Sequence, residues 1–223
     1  MHTSVKTVLA TLLTLATAQQ ALAAVALDRT RVIYNGNEKA VSLTIRNQNE
    51  KLPYLAQGWI EDEQGNKLNG PLVLLPQDRE TVYYFNLREI PPRSEKPNVL
   101  QIALQTRVKL FYRPAAIVPD RKAMENPWQE QLTLTRQGDS YMAHNPTPYY
   151  ITLVDATTHK EGKTVAGFAP LMVPPKGSIK LGGSASALGN APVLTYINDY
   201  GGRPALTFRC ASDCRVVPEK RQQ

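Results

Sequence analysis

Two cysteines, three histidines and two tryptophans are all that this 223-residue chain holds of the side chains that most often build metal, redox or stacking sites. Cys210 and Cys214 have three residues between them, so no C-x-x-C redox pair exists. His2 lies at the extreme start; His144 and His159 have neither a cysteine nor a carboxylate pair beside them. His144 precedes Asn145 and Pro146 in a turn, where a solvated imidazole is expected rather than a base or ligand. No G-x-S-x-G, H-E-x-x-H, Walker or dinucleotide motif is present. Gly182-Gly183 and Gly201-Gly202 lack a phosphate-binding context and read as turns. The sequence thus predicts no catalytic residue, no metal site and no cofactor.

Long apolar runs are also missing. The longest, Val8 to Ala18, is too short to cross a bilayer, so no membrane insertion is expected. With Lys6 before it and Ala21-Leu22-Ala23 after it, residues 1–23 read as a secretory leader with an A-x-A cleavage site. The mature chain would begin at Ala24 in an oxidising compartment, where Cys210 and Cys214 form a disulfide. The net charge of +7 falls to +6 without Lys6. No run of five basic residues occurs, which argues against nucleic acid as a partner.

Helical periodicity is scarce, and seventeen prolines with thirteen glycines punctuate short extended runs. That is an all-β pattern. Its main feature is Val99 to Pro114, where Leu100, Ile102, Leu104, Val108 and Leu110 alternate with Gln101, Gln105, Arg107 and Lys109. The spacing predicts one long strand over 99–112. Further strands are predicted at Val41–Arg46, Tyr54–Ile60, with Trp59 in the core, and Glu80–Leu87. The second half repeats the style at Trp128–Arg136, Tyr149–Val154, Phe168–Val173, Ser178–Leu181, Val193–Asn198 and Ala205–Cys210. Pro114 to Pro127 is the best linker, giving domains over 24–115 and 116–223.

The segments LDRTRVIYNGNEKAVSLTIRN, LPYLAQGWIEDEQGNK, LPQDRETVYYFNLREIPPRSEKPNVLQIALQTRVKLFYRPAA, NPTPYYIT and YINDYGGRPALTFRC resemble the PapD-like periplasmic pilus-assembly chaperones of the chaperone–usher pathway. The resemblance implies two immunoglobulin-like β-sandwich domains in a bent arrangement. It implies a periplasmic, non-enzymatic protein that caps pilin subunits by lending them a strand and delivers them to an outer-membrane usher. Arg31 and Lys109 match the family's cations that grip a subunit's C-terminal carboxylate. Leu100, Ile102 and Leu104 match the donated apolar row, and Glu80, Arg113 and Asp199 match a charged network between domains.

The first domain departs from the family at one place. Gly70–Pro76 runs straight into Gln77-Asp78-Arg79-Glu80, where the family has two more strands, roughly 20 or more residues. The first domain is therefore expected to be short of about two strands. Two other functions remain open to the residues alone. One is a secreted carbohydrate-binding sandwich using Trp59 and Trp128 as platforms, although their strand context suggests cores. The other is a shortened chaperone relative with impaired activity.

Overall fold

A computed structural model describes residues 23–70, 77–96 and 98–218 of the protein. The expected leader and the 71–76 stretch fall almost wholly outside these residues. In the first half lie β1 (Val25–Leu27), β2 (Arg31–Asn35), β3 (Ile45–Asn47), β4 (Leu55–Glu61), β5 (Thr81–Ile90) and β6 (Gln105–Arg113). A 3-10 turn at Ala115–Ile117 and a short helix α1 (Arg121–Glu125), capped by the Asp120 carboxylate on Ala123 N–H, lead into the second half. There a 3-10 turn (Trp128–Gln131) precedes β7 (Thr133–Gln137), β8 (Ser140–Asn145), β9 (Ile151–Thr157), β10 (Leu171–Val173) and β11 (Gly177–Lys180). Helix α2 (Ala185–Leu188), β12 (Val193–Ile197), β13 (Ala205–Cys210) and β14 (Cys214–Val216) follow.

The first domain pairs β1 with β3 in one small sheet and orders β2-β6-β5-β4 in the other. Only β2 runs parallel to its neighbour, β6; the other ladders are antiparallel. Even-numbered residues of β6 face inward, so Val108, Leu110 and Tyr112 pack with Val32 and Tyr83, and Leu27, Val41, Leu43 and Ile60 close over them. The second domain is one sheet of eight strands, β10-β9-β12-β13-β14-β7-β8-β11, whose ends β10 and β11 come together around the core. That core is larger and includes Leu132, Leu134, Tyr141, Leu153, Leu194 and Phe208. The Cys210–Cys214 disulfide closes the β13–β14 hairpin, where the two residues are cross-strand partners.

Several expectations need correction. The long strand is paired only over Gln105–Arg113; residues 99–104 join no ladder, and Leu100 and Ile102 are 84% and 64% exposed. The reason lies in the neighbour. β5 stops at Ile90, and Pro91-Pro92 cannot supply N–H donors, so only Leu104 still exchanges a backbone hydrogen bond with Glu89. Trp59 is not a core residue: on edge strand β4 it faces outward between Lys67 and Arg88 and donates to Glu61. The Val41–Arg46 alternation is paired only at its end, through Ile45 and Arg46 with β1. Trp128 lies in the 3-10 turn and is buried, which removes it as an exposed sugar platform. The Phe168–Val173 run is a strand only from Leu171.

Candidate functional site

The parallel register of β2 on β6 sets Arg31 directly opposite Lys109. Both are odd-numbered partners on the face away from the first domain's core, so two cations emerge side by side. Arg31 is held by the second domain. Its Nη1 donates to the carbonyls of Ile197 (3.1 Å) and Asn198 (3.0 Å), its Nη2 reaches Thr152 Oγ1 at 3.4 Å, and the guanidinium lies over the Phe111 ring. Lys109 is different. No hydrogen bond or ion pair to its ammonium is found among the described residues.

Both groups are half-buried, and both are pushed in one direction. Burial lowers the Lys109 pKa, and repulsion from Arg31 lowers it further. Burial also lowers that of Arg31, against the opposing pull of Asp199 and Glu80. Two adjacent cations that each resist their charge make a site for an anion. A carboxylate suits it, because it can accept charge-assisted bonds from an arginine fork and an ammonium at once.

β2 begins only at Arg31, opposite Lys109. Upstream, residues 105–108 of β6 pair with β5 on one side and meet no described strand on the other. This open edge runs on into 99–104. Leu100, Ile102 and Leu104 share the sequence parity of Val108 and Leu110, opposite to that of Lys109, and Leu100 and Ile102 stand exposed.

Behind the cations, Arg113 is almost fully buried. Its Nε donates to Glu80 Oε1 (2.8 Å), Nη2 donates to the same oxygen, and Nη1 donates to Asp199 Oδ2 at 3.1 Å. Trp128 and Tyr149 flank its guanidinium at 5.1 and 4.8 Å. Glu80 Oε2 accepts from Tyr150 N–H, and Glu80 N–H donates to the Pro148 carbonyl. Burial pushes the Glu80 carboxyl up, with Arg113 pulling against it. The predicted trio is thus brought together, and it bridges residues of the first sheet to the β12–β13 turn.

Other bridges had no signal in the sequence. Tyr150 donates to Glu63 at 2.7 Å, and burial followed by Glu63 holds its hydroxyl well above the ordinary tyrosine range. Lys176 pairs with Asp78 at 2.7 Å, an exposed carboxylate kept below its usual range by Arg79 and Lys176. A cleft of about 660 Å³ opens beside Arg29, Arg31, Asn35, Arg113, Asp199 and Tyr200. Among the described residues, no helix is long and apolar enough to cross a membrane.

The chain is similar to known proteins over most of its length. The profile of the pili assembly chaperone PapD C-terminal domain matches residues 127–208, and that of the PapD N-terminal domain matches residues 24–76 and 70–118. The chain belongs to the PapD family of pilus-assembly chaperones. The two stretches matched by the N-terminal profile meet at 70–76, the junction where this chain is expected to lack strands found in the family. It is 46% identical to the probable fimbrial chaperone YfcS of Escherichia coli over 235 residues, covering 94% of this chain and 92% of that one. It is also 46% identical to the Escherichia coli chaperone protein PapD over 225 residues, covering 89% and 92%. Among solved structures, the periplasmic chaperone SfaE superposes with a TM-score of 0.62 at 31% identity, over 82% of this chain and 98% of that one. The fold also matches the SafB chaperone of Salmonella enterica, solved in complex with the SafA pilin (TM-score 0.66, 22% identity, 86% and 99% covered).

Proposed function

We propose that this PapD-family protein is exported to the periplasm by its leader, binds pilin subunits that lack a strand of their own, and hands them to an outer-membrane usher. An incomplete sandwich exposes an apolar groove and an open edge that would otherwise aggregate. The edge of β6 from Gln105 back towards Val99 offers the subunit backbone hydrogen bonds, while Leu100, Ile102 and Leu104 fill the groove. The subunit's C-terminal carboxylate seats on Arg31 and Lys109, which fixes its register along the edge. No nucleotide takes part.

The observation that carries this reading is the position of the two cations, side by side at the point where the open edge ends. Hydrogen bonds to charged groups contribute about 1.5–3 kcal/mol each, so losing one is expected to weaken the complex about tenfold or more. The test is co-expression of a pilin subunit with the wild type, Arg31→Ala and Lys109→Ala, followed by recovery of the one-to-one complex from periplasmic extract. The wild type should yield complex and both variants little or none. Equal recovery from all three would remove the carboxylate anchor, and no complex from the wild type would favour a shortened relative without chaperone activity.

A further inference from the structure

Glu89 is the polar exception on the inward face of β5. The residues two, four and six before it on that face are Leu87, Phe85 and Tyr83, and Glu89 itself is 5% exposed. Each carboxylate oxygen serves a different part of the chain. Oε2 accepts from the Val25 N–H at the start of β1 (3.1 Å), and Oε1 accepts from the Leu104 N–H at 3.2 Å. Glu89 N–H in turn donates to the Leu104 carbonyl at 3.0 Å. The base of the exposed 99–104 segment is therefore clamped through one side chain. No cation is bonded to that carboxylate among the described residues. A buried carboxylate without a counter-charge is costly.

We propose that the missing counter-charge is the α-ammonium of Ala24, created when the leader is removed, so that N-terminal processing tightens the clamp on the donor segment. This rests on the leader reading given above. Hydrolysis of the Ala23–Ala24 bond by a leader peptidase consumes one water and leaves a carboxylate on Ala23 and an amine on Ala24. The amine takes up a proton at neutral pH, since its ordinary pKa is about 7.7–8.0. Ala24 N lies three bonds from Val25 N, about 3–4 Å by standard backbone dimensions. Ala24 is itself held, because its carbonyl accepts from Gln48 N–H at 2.7 Å. Before cleavage the same position carries only an uncharged amide. Glu89 is then a positioning residue, acting on the subunit through Leu104.

The test compares four proteins secreted with the leader: wild type and Glu89→Gln, each starting at Ala24 or with a Gly-Ser pair inserted between Ala23 and Ala24. N-terminal sequencing establishes the start, and hydrogen exchange of the Leu104 amide is the measurement. In the wild type the insertion should speed exchange about tenfold or more. Glu89→Gln should speed it at least as much, and in that variant the insertion should add nothing. The amides of Leu153 and Leu194, in the second core, should stay unchanged in all four. In the two proteins without the insertion, a start other than Ala24 overturns the leader reading together with the inference. A start at Ala24 with Leu104 unaffected by the insertion, or with effects that multiply, overturns the inference alone. A general speeding that includes Leu153 and Leu194 also counts against it.

Discussion

Lys109 carries its charge against the preference of its surroundings, and this has a measurable sign. Its folded-state pKa lies below the ordinary 10.5, because of burial and then Arg31. A lysine so placed favours the fold only when neutral: the favourable contribution is present above 10.5 and is lost as pH falls through the lower folded value. Lys109→Met is therefore expected to stabilise the free protein at about pH 7, with the advantage shrinking as pH approaches 10. Urea denaturation at several pH values checks this; a variant no more stable than wild type at neutral pH would contradict it. In the sequence Arg31 and Lys109 are two cations among 26, and residue type alone does not mark them. The family resemblance singles them out, and the parallel β2–β6 ladder then supplies the reason they meet. Tyr150–Glu63 and Lys176–Asp78 had no such marker, because they join residues 87 and 98 positions apart without a local pattern.

Alternation gave the two faces of the paired part, Gln105–Arg113, where Val108 and Leu110 turn into the core and Lys109 turns away, since side-chain direction is a local property of extended backbone. It could not give the pairing, which depends on where the neighbouring strand stops. Residues 99–104 keep the pattern of a buried strand while standing in solvent, and that mismatch is what a lent strand requires. Ile102→Asp is accordingly expected to leave stability of the free protein within about 0.5 kcal/mol, as for other exposed positions, while sharply reducing recovery of the subunit complex. A large loss of stability in the free protein would show that Ile102 belongs to its own core. Trp59 and Ile45 failed for a related reason: an aromatic or alternating residue is core only if something covers it, as it does Val41 and Leu43. Trp59 sits on an edge strand under two cations, and Ile45 is exposed because β3 has only β1 beside it among the described residues. The all-β class and most second-domain strands were legible because Pro and Gly mark their ends.

Across the whole molecule the two cores are unequal. The first gathers around Val32, Tyr83, Val108, Leu110 and Tyr112, whereas the second is built on many more fully buried side chains. The first domain is also the one whose sequence is expected to be short of about two strands. Scanning calorimetry should therefore show the first domain unfolding at the lower temperature. Arg113→Ala should lower that transition further, because it leaves the Glu80 carboxylate buried without its partner, a loss of about 3–5 kcal/mol. A single unchanged transition in the variant would show that this network does not couple the domains.

The parallel start of β2 has one more consequence. From Lys109 onward the edge of β6 is already taken, so a guest polypeptide laid along it has a fixed place to stop, and any residue beyond its natural terminus would run into the backbone of Arg31. On the proposed function, this stop would act as a gauge for finished chains, telling a completed tail from one that continues before a single side chain has been inspected.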